Sequence, residues 1–164
     1  MEMLRQDDTG GLERIVVDNP AAIRFLQGRL WDPDPEIRSR AAVALGAVAK
    51  SHPDLGRELL RRALWALNDE SATNGGPMLP AIGEIGRRSP DLVAPFVGPM
   101  TSYLWDEGLR PGILSALCRI AGEAPELIED IRDRLLALTE TDDTGVRECL
   151  DLLLAVNREG VDGE

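Results

Sequence analysis

Apolar residues recur every three or four positions along most of the chain, with charged residues between them. In the run 37–48 they fall at positions i, i+4, i+7, i+8 and i+11, which places them on one side of a helix. Prolines separate such runs, and proline suits a first helical turn because its missing N–H needs no partner there. The pattern predicts no β-strand, and it predicts helices near 20–31, 36–50, 53–67, 77–88, 90–104, 110–123, 125–138 and 145–157, with a short helix near 12–18.

The helical runs belong to an internal repeat. Four aspartates stand 37 residues apart: Asp32, Asp69, Asp106 and Asp143. When the segments that follow them are aligned, one column holds Leu45, Ile82, Leu117 and Leu154, and a second holds Val48, Ile85, Ile120 and, one position out of step, Val156. Each copy contains two helices, so we expect an all-α α-solenoid of about four antiparallel helix pairs with these columns buried.

The repeats predict one domain over 1–164. We expect a capping segment at 1–18 and repeats at about 20–50, 53–88, 90–123 and 125–158. Each second helix begins after the aspartate-containing turn, where Asp34 or Thr144 can cap free backbone N–H groups.

Composition narrows the classes of partner. The net charge is −11, which opposes binding to nucleic acid or to an anionic membrane surface. The first residues lack the apolar segment of a secretory signal, and no apolar run approaches the ~18 residues of a membrane span, so we expect a cytoplasmic protein. Cys118 and Cys149 fall in predicted helices without CxxC spacing, which favours reduced thiols over a structural disulfide.

The stretch DPDPEIRSRAAVALGAVA, residues 32–49, resembles the HEAT repeat, and most of all the subgroup that HEAT proteins share with phycobilin lyases. The resemblance implies a right-handed solenoid with first helices on its convex side and second helices on its concave side. It also implies a surface that is presented to another macromolecule. The family's turn arginine maps onto Arg38, Arg110 and Arg147, and is expected to tie each turn beside Asp32, Asp106 and Asp143.

Catalytic and cofactor-binding patterns are weak. His52 is the one histidine and lies in a turn before a helix, where a cap or a solvent contact is the expected role. There is no HExxH, and two cysteines that lie far apart in the sequence do not form a metal site. The tryptophans Trp31, Trp65 and Trp105 end convex-side helices, where packing explains them. We therefore expect no enzyme activity, no cofactor and no metal.

The second repeat departs from the pattern, because Gly75 stands in the arginine column. Gly75 and Gly76 can adopt positive φ, or let a ligand or a neighbouring backbone come close. Pro77 and Pro80 fit a first helical turn whose free N–H groups could hold an anion, but Asp69 and Glu70 would repel a phosphate. An unusual structural turn is the favoured interpretation, and a binding surface is the alternative.

Glu84 lies two residues past Ile82, a rotation of roughly 200° on a helix, so we expect it on the concave face, paired with Arg119 as an exposed ion pair. Charge reversal at Glu84 is then expected to leave folding nearly intact but to weaken partner binding. The main hypothesis is a non-catalytic scaffold or adaptor that binds a protein or peptide on this face. The alternative is a lyase-like accessory protein that binds a small cofactor while another protein matures. The predicted partner-binding residues are Asn68, Asp69, Glu70, Pro80, Glu84, Arg87, Ser115 and Arg119.

Overall fold

The structure, a computed structural model, describes residues 9–68, 75–139 and 144–161. All regular structure in these ranges is helical, as predicted. None of the described helices is long and apolar enough to cross a membrane. The helices are α1 (Thr9–Asp18), α2 (Ile23–Arg29, after a 3₁₀ turn at Pro20–Ala22), α3 (Pro35–Ser51), α4 (Pro53–Leu67), α5 (Leu79–Arg88, after a 3₁₀ turn at Gly76–Met78), α6 (Pro90–Thr101), α7 (Arg110–Ala121), α8 (Glu126–Glu129), α9 (Arg132–Leu136) and α10 (Thr144–Val161).

The helices form two packed rows. Helices α1, α3, α5, α7 and α10 contact one another in that order, and we call them the inner row. Helices α2, α4 and α6, which we call the outer row, pack against the inner row from one side, with α4 against both α3 and α6. Single residues, His52 and Ser89, link α3 to α4 and α5 to α6. The chain is therefore a helical solenoid in which each helix pair packs mainly on the pairs next to it along the row.

Helix boundaries agree with the prediction to within a few residues, except for the first helix of the last repeat. The expected helix at 125–138 is two short helices, α8 and α9. The Ile131 N–H bonds to the Ile128 carbonyl, three residues back, and Ile131 leaves helical geometry at φ −108°, ψ 3°. This tighter turn keeps Ile128, Ile131 and Leu135 inside the core.

The aligned apolar columns form the core along most of the inner row. Leu45, Ile82 and Leu117 are buried, and so are Val48, Ile85 and Ile120. The columns fail in α10, where Leu154 is only half-buried and Val156 is 37% exposed. There Val146, Leu150 and Leu153 face the core instead. Helix α10 packs on α7, α8 and α9, and no other described helix covers its far side.

Small residues set the spacing between inner-row helices. A Cβ on Gly46 of α3 would lie 3.0 Å from the Cβ of Glu84 on α5. A Cβ on Gly83 of α5 would lie 3.1 Å from the Cα of Ala116 on α7. A Cβ at either position would force its neighbour to move by a few tenths of an ångström, so glycine favours this close approach.

The turn arginines bind main-chain oxygens. Arg38 Nη1 donates to the carbonyl of Asp32 at 2.7 Å, and Arg110 Nε donates to the carbonyl of Leu104 at 2.7 Å. The Asp34 carboxylate caps α3 by accepting from the Glu36 N–H at 2.9 Å, as predicted. Arg38 and Arg110 thus tie their turns through backbone carbonyl oxygens. The third aspartate of the set, Asp143, lies outside the described residues.

Candidate functional site

Glu84 of α5 and Arg119 of α7 form an ion pair between neighbouring inner-row helices, as the sequence predicted. Glu84 Oε1 accepts a hydrogen bond from Arg119 Nη1. Glu84 Oε2 accepts from Arg87 Nη2 at 2.9 Å and from Arg87 Nε at 3.2 Å. Arg88 Nε lies 3.9 Å from the same oxygen. One carboxylate therefore holds two guanidinium groups directly and lies close to a third.

The prediction that this pair is exposed is wrong for the acid. The side chain of Glu84 is 3% exposed, whereas those of Arg87 and Arg119 are 41% and 43% exposed. Gly46 lets α3 pack directly on Glu84, and the two arginine side chains lie over it on the other side. Charge-assisted hydrogen bonds compensate for burying the carboxylate. The exposure on which the expected tolerance of charge reversal rested is therefore not observed, and an arginine at position 84 would bury a cation among three others.

The ion cluster reaches α1. Arg88 Nη2 lies 2.5 Å from Glu13 Oε1, although α1 and α5 are separated in the row by α3. The crossing is possible because α3 presents the short side chain of Ala47 at this level. Glu13, Ala47, Lys50 and Arg88 line part of a cavity of about 360 Å³.

Four predicted site residues share the exposed face of the inner row. Pro80 and Arg87 are exposed on α5, and Ser115 and Arg119 are exposed on α7. Together with the buried Glu84 they form what we call the inner-row patch. At the repeat spacing of 37 residues, Leu152 and Val156 of α10 occupy the positions that Ser115 and Arg119 occupy in α7. The side chains of Leu152 and Val156 are exposed. An apolar border thus flanks the charged patch on the α10 side.

The contact that Asn68 makes lies away from the inner-row patch. Its Oδ1 accepts a hydrogen bond from the Tyr103 hydroxyl at 3.1 Å, which joins the end of α4 to the turn after α6. The other two predicted residues of that turn, Asp69 and Glu70, lie outside the described residues.

Gly75 takes an ordinary helical φ of −64°, so its proposed positive φ is not observed. A Cβ at this position would lie 2.7 Å from the carbonyl carbon of Ala66 and from the nitrogen of Leu67. The glycine therefore replaces the arginine of the other repeats because a neighbouring backbone lies against it. This contact explains Gly75 without a ligand.

The three tryptophans are not core residues, and the packing explanation is wrong for them. Trp31 is 47% exposed, Trp65 71% and Trp105 72%. They lie at or just after the C-terminal ends of α2, α4 and α6, beyond the reach of the buried columns.

His52 has a structural contact of a kind the sequence did not suggest. Its Nε2 lies 2.8 Å from the carbonyl oxygen of Val17, so the ring ties the end of α1 to the link between α3 and α4. It makes no side-chain cap bond to α4. Among the described residues, no three His, Cys, Asp or Glu side chains gather in a group that could hold a metal ion.

The two cysteines are in contact, although they lie 31 residues apart in the sequence. Cys118 Sγ of α7 and Cys149 Sγ of α10 are 2.9 Å apart, and both are free thiols. The repeat alignment contains the missed information. Cys118 is aligned with Gly83 of the preceding repeat, and that column faces the next inner-row helix. Cys149 is aligned with Gly112, and that column faces the previous inner-row helix.

A further cavity lies outside the predicted site. It has a volume of about 450 Å³ and lies where α4 and α6 begin. Leu92 and Phe96 supply apolar walls, Lys50, Arg57 and Arg88 supply positive charge, and Asp91 supplies a negative charge. Arg57 is also paired with Asp54 at 2.6 Å.

Comparison with known proteins supports the fold alone. No protein-family model and no curated protein matches the chain. A designed armadillo repeat protein is similar in structure, with a TM-score of 0.54 and 19% identity over 80% of this chain and 63% of that one. An engineered protein is similar with a TM-score of 0.61 and 20% identity over 90% of this chain and 66% of that one. The chain thus spans about two thirds of the length of either structure, and it shares with them the architecture of a helical repeat solenoid.

Proposed function

We propose that the protein is a non-catalytic scaffold of the HEAT-repeat type that binds an acidic segment of a partner protein on the inner-row patch. The observation that carries the proposal is the arrangement of Arg87 and Arg119 around Glu84. The buried carboxylate holds both guanidinium groups in place, while each arginine side chain remains about two-fifths exposed. A guanidinium group has five N–H donors, and the contacts with Glu84 use one donor of Arg119 and two of Arg87.

Pre-positioned arginines suit recognition of a carboxylate. Arginine binds carboxylates through paired hydrogen bonds, and a side chain that is already ordered loses less entropy when it binds. The chain carries 29 acidic residues and a net charge of −11, so an exposed pair of arginines on the inner row is a local exception. That contrast favours an acidic peptide over a basic one at this point.

The apolar border of the inner-row patch indicates which kind of residue lies next to the acidic residue in the bound segment of the partner. Leu152 is 64% exposed, and Cys118, Ala121, Leu152, Leu153 and Val156 line a cavity of about 190 Å³. An apolar side chain in that cavity would lie next to the arginines. The recognised segment therefore combines Asp or Glu with a leucine-sized or aromatic residue.

The resemblance of residues 32–49 to HEAT repeats supports the same function class, because such solenoids present extended surfaces to other macromolecules. We place the protein in the cytoplasm, as its composition suggests, and we propose no nucleic-acid partner.

Peptide selection tests the proposal. A random peptide library displayed on phage is selected on the immobilised protein, and enriched peptides are measured in solution. We expect acidic peptides with one large apolar residue, and we expect their affinity to fall about tenfold or more in Arg87→Ala and Arg119→Ala. The matched control is Arg62→Ala, because Arg62 also pairs with a glutamate on its own helix, Glu58 at 2.9 Å, but lies in the outer row. Equal affinity for all three variants, or enrichment of basic peptides, would overturn the proposal.

A small anionic cofactor is the second candidate, and the cavity of about 450 Å³ at the start of α4 and α6 favours it. Its walls offer apolar surface beside three cationic side chains and one acid, Asp91, so positive charge outweighs negative charge there, and this combination suits a ligand with a carboxylate and an apolar body. Absorbance or mass analysis of protein purified from its native cell is the test. A ligand whose retention falls in Phe96→Ala but not in Arg119→Ala would favour this candidate over peptide binding.

A further inference from the structure

The thiols of Cys118 and Cys149 stand where two neighbouring inner-row helices meet. Their Sγ atoms are 2.9 Å apart, compared with ~2.05 Å in a disulfide bond. Cys118 Sγ also lies 3.8 Å from the carbonyl oxygen of Cys149. The two side chains already point at each other, so a covalent bond needs only a small movement of the sulfur atoms.

Solvent has access to the pair. Both cysteines are only partly buried, and Cys118 lines the cavity of about 190 Å³ that opens between α7 and α10. Hydrogen peroxide is small enough to enter a space of this size. Cysteines that are buried and inert lack such a path.

The hydrogen bond between the sulfurs also activates the pair. It lowers the pKa of the Cys149 thiol, because a thiolate there accepts the proton of Cys118. The same bond, together with burial, raises the pKa of Cys118 far above its ordinary value. The two groups titrate as one coupled pair in which the first proton leaves easily and the second is retained. A hydrogen-bonded thiolate beside a protonated thiol is the form that reacts with an oxidant and then resolves.

We propose that Cys118 and Cys149 form a reversible redox site, in which hydrogen peroxide converts the thiol pair into a disulfide that fastens α10 to α7. A thiolate of the pair attacks one peroxide oxygen and becomes a sulfenic acid, while the second oxygen leaves as hydroxide. The other thiol then attacks the sulfenic sulfur, the S–S bond forms and water leaves. A thiol reductant such as glutathione restores both thiols and is itself oxidised to its disulfide.

The bond would act on one defined part of the fold. It closes a loop that contains α8, α9 and residues 140–143, and it anchors the helix that carries Leu152 and Val156. Cross-linking this loop restricts the unfolded chain, so the oxidised protein should be the more stable form. The apolar border of the inner-row patch would then be held by a covalent bond as well as by packing.

Oxidation of the purified, reduced protein with hydrogen peroxide tests the proposal. We expect peptide mapping to find an intramolecular Cys118–Cys149 disulfide, and we expect the melting temperature to rise by about 5–10 °C and to return after addition of reductant. Amide exchange in α10 should slow in the oxidised form.

Single substitutions provide the controls. Cys118→Ser and Cys149→Ser should each show no rise in melting temperature, and the remaining thiol should accumulate a sulfenic acid that dimedone traps. The double variant shows by circular dichroism whether serine is tolerated at both positions, and wild-type protein blocked with iodoacetamide supplies a second control without mutation. Intermolecular disulfides in place of the internal one, or thiols that react no faster than free glutathione, would overturn the proposal.

Discussion

Arg88 of α5 reaches Glu13 of α1 across the intervening helix α3, with 2.5 Å between Nη2 and Oε1. A strictly nearest-neighbour solenoid would not contain this contact. It depends on the small side chain of Ala47, which leaves room above α3 for a long arginine. Both partners are mostly shielded from solvent, Arg88 at 18% and Glu13 at 28% side-chain exposure. The pair therefore connects the first described helix directly to the buried ion cluster around Glu84.

This bridge should couple α1 to α5 energetically. In a double-mutant cycle with Arg88→Ala and Glu13→Ala, we expect a coupling energy of about 1–2 kcal/mol, because a shielded ion pair is screened less than an exposed one. Urea unfolding of the four proteins measures it. The exposed pair Arg62 and Glu58 is the control, where the same cycle should give about 0.5 kcal/mol or less. Equal coupling in both cycles would mean that the bridge does not persist in solution.

Glu84 should be important for stability as well as for recognition. We expect Glu84→Gln to lower the free energy of unfolding by about 2–4 kcal/mol, because it removes the charge that balances Arg87 and Arg119 at a buried position. Glu84→Arg should cost more, since it adds a fourth cation to the cluster. Urea unfolding again provides the measurement, and Glu58→Gln on the outer row should change stability by about 0.5 kcal/mol or less. A neutral Glu84→Gln would contradict the burial of this carboxylate.

The sequence predicted the inner-row helices well because each of them repeats one apolar column. Leu45, Ile82 and Leu117 are buried for the same reason: a helix packs on both sides of each. The same column is only half-buried at Leu154, because α10 has described neighbours on one side only. Periodicity reports which residues share a helix face, and the number of packed neighbours then decides whether that face is buried.

The sequence predicted the helix face on which the candidate site lies, but it did not predict that Glu84 is buried. Helix rotation places Glu84 on the correct face, whereas its burial depends on Gly46 and on where the arginine side chains lie. The contact between Cys118 and Cys149 could have been predicted from their columns, as glycines occupy equivalent close-approach positions in other repeats. The bridge from Arg88 to Glu13 skips one helix, and no local pattern in the sequence predicts such a contact.

Leu117 tests the buried column. We expect Leu117→Ala to lower the free energy of unfolding by about 2–5 kcal/mol, because it leaves a cavity in a fully enclosed position of α7. Leu154→Ala, at the half-buried end of the same column, should cost clearly less. Leu152→Ala should cost less than about 0.5 kcal/mol, because its side chain is mostly exposed. The three variants are compared by urea unfolding, and a Leu117→Ala cost no greater than that of Leu152→Ala would contradict this packing.

Gly75 tests whether the unusual turn before α5 is explained by close backbone contact. In Gly75→Ala the new Cβ would lie 2.7 Å from two backbone atoms of Ala66 and Leu67, and a backbone cannot move aside as a side chain can. We therefore expect a loss of about 1–3 kcal/mol in the free energy of unfolding, measured by urea unfolding. Gly28→Ala is the matched control, because Gly28 lies in α2 with nothing within 4 Å of its added Cβ. That change should stabilise the protein by about 0.5–1 kcal/mol through helix propensity. If Gly75→Ala were as harmless as Gly28→Ala, the close contact would not account for glycine in the arginine column, and a role for this turn in ligand binding would regain support.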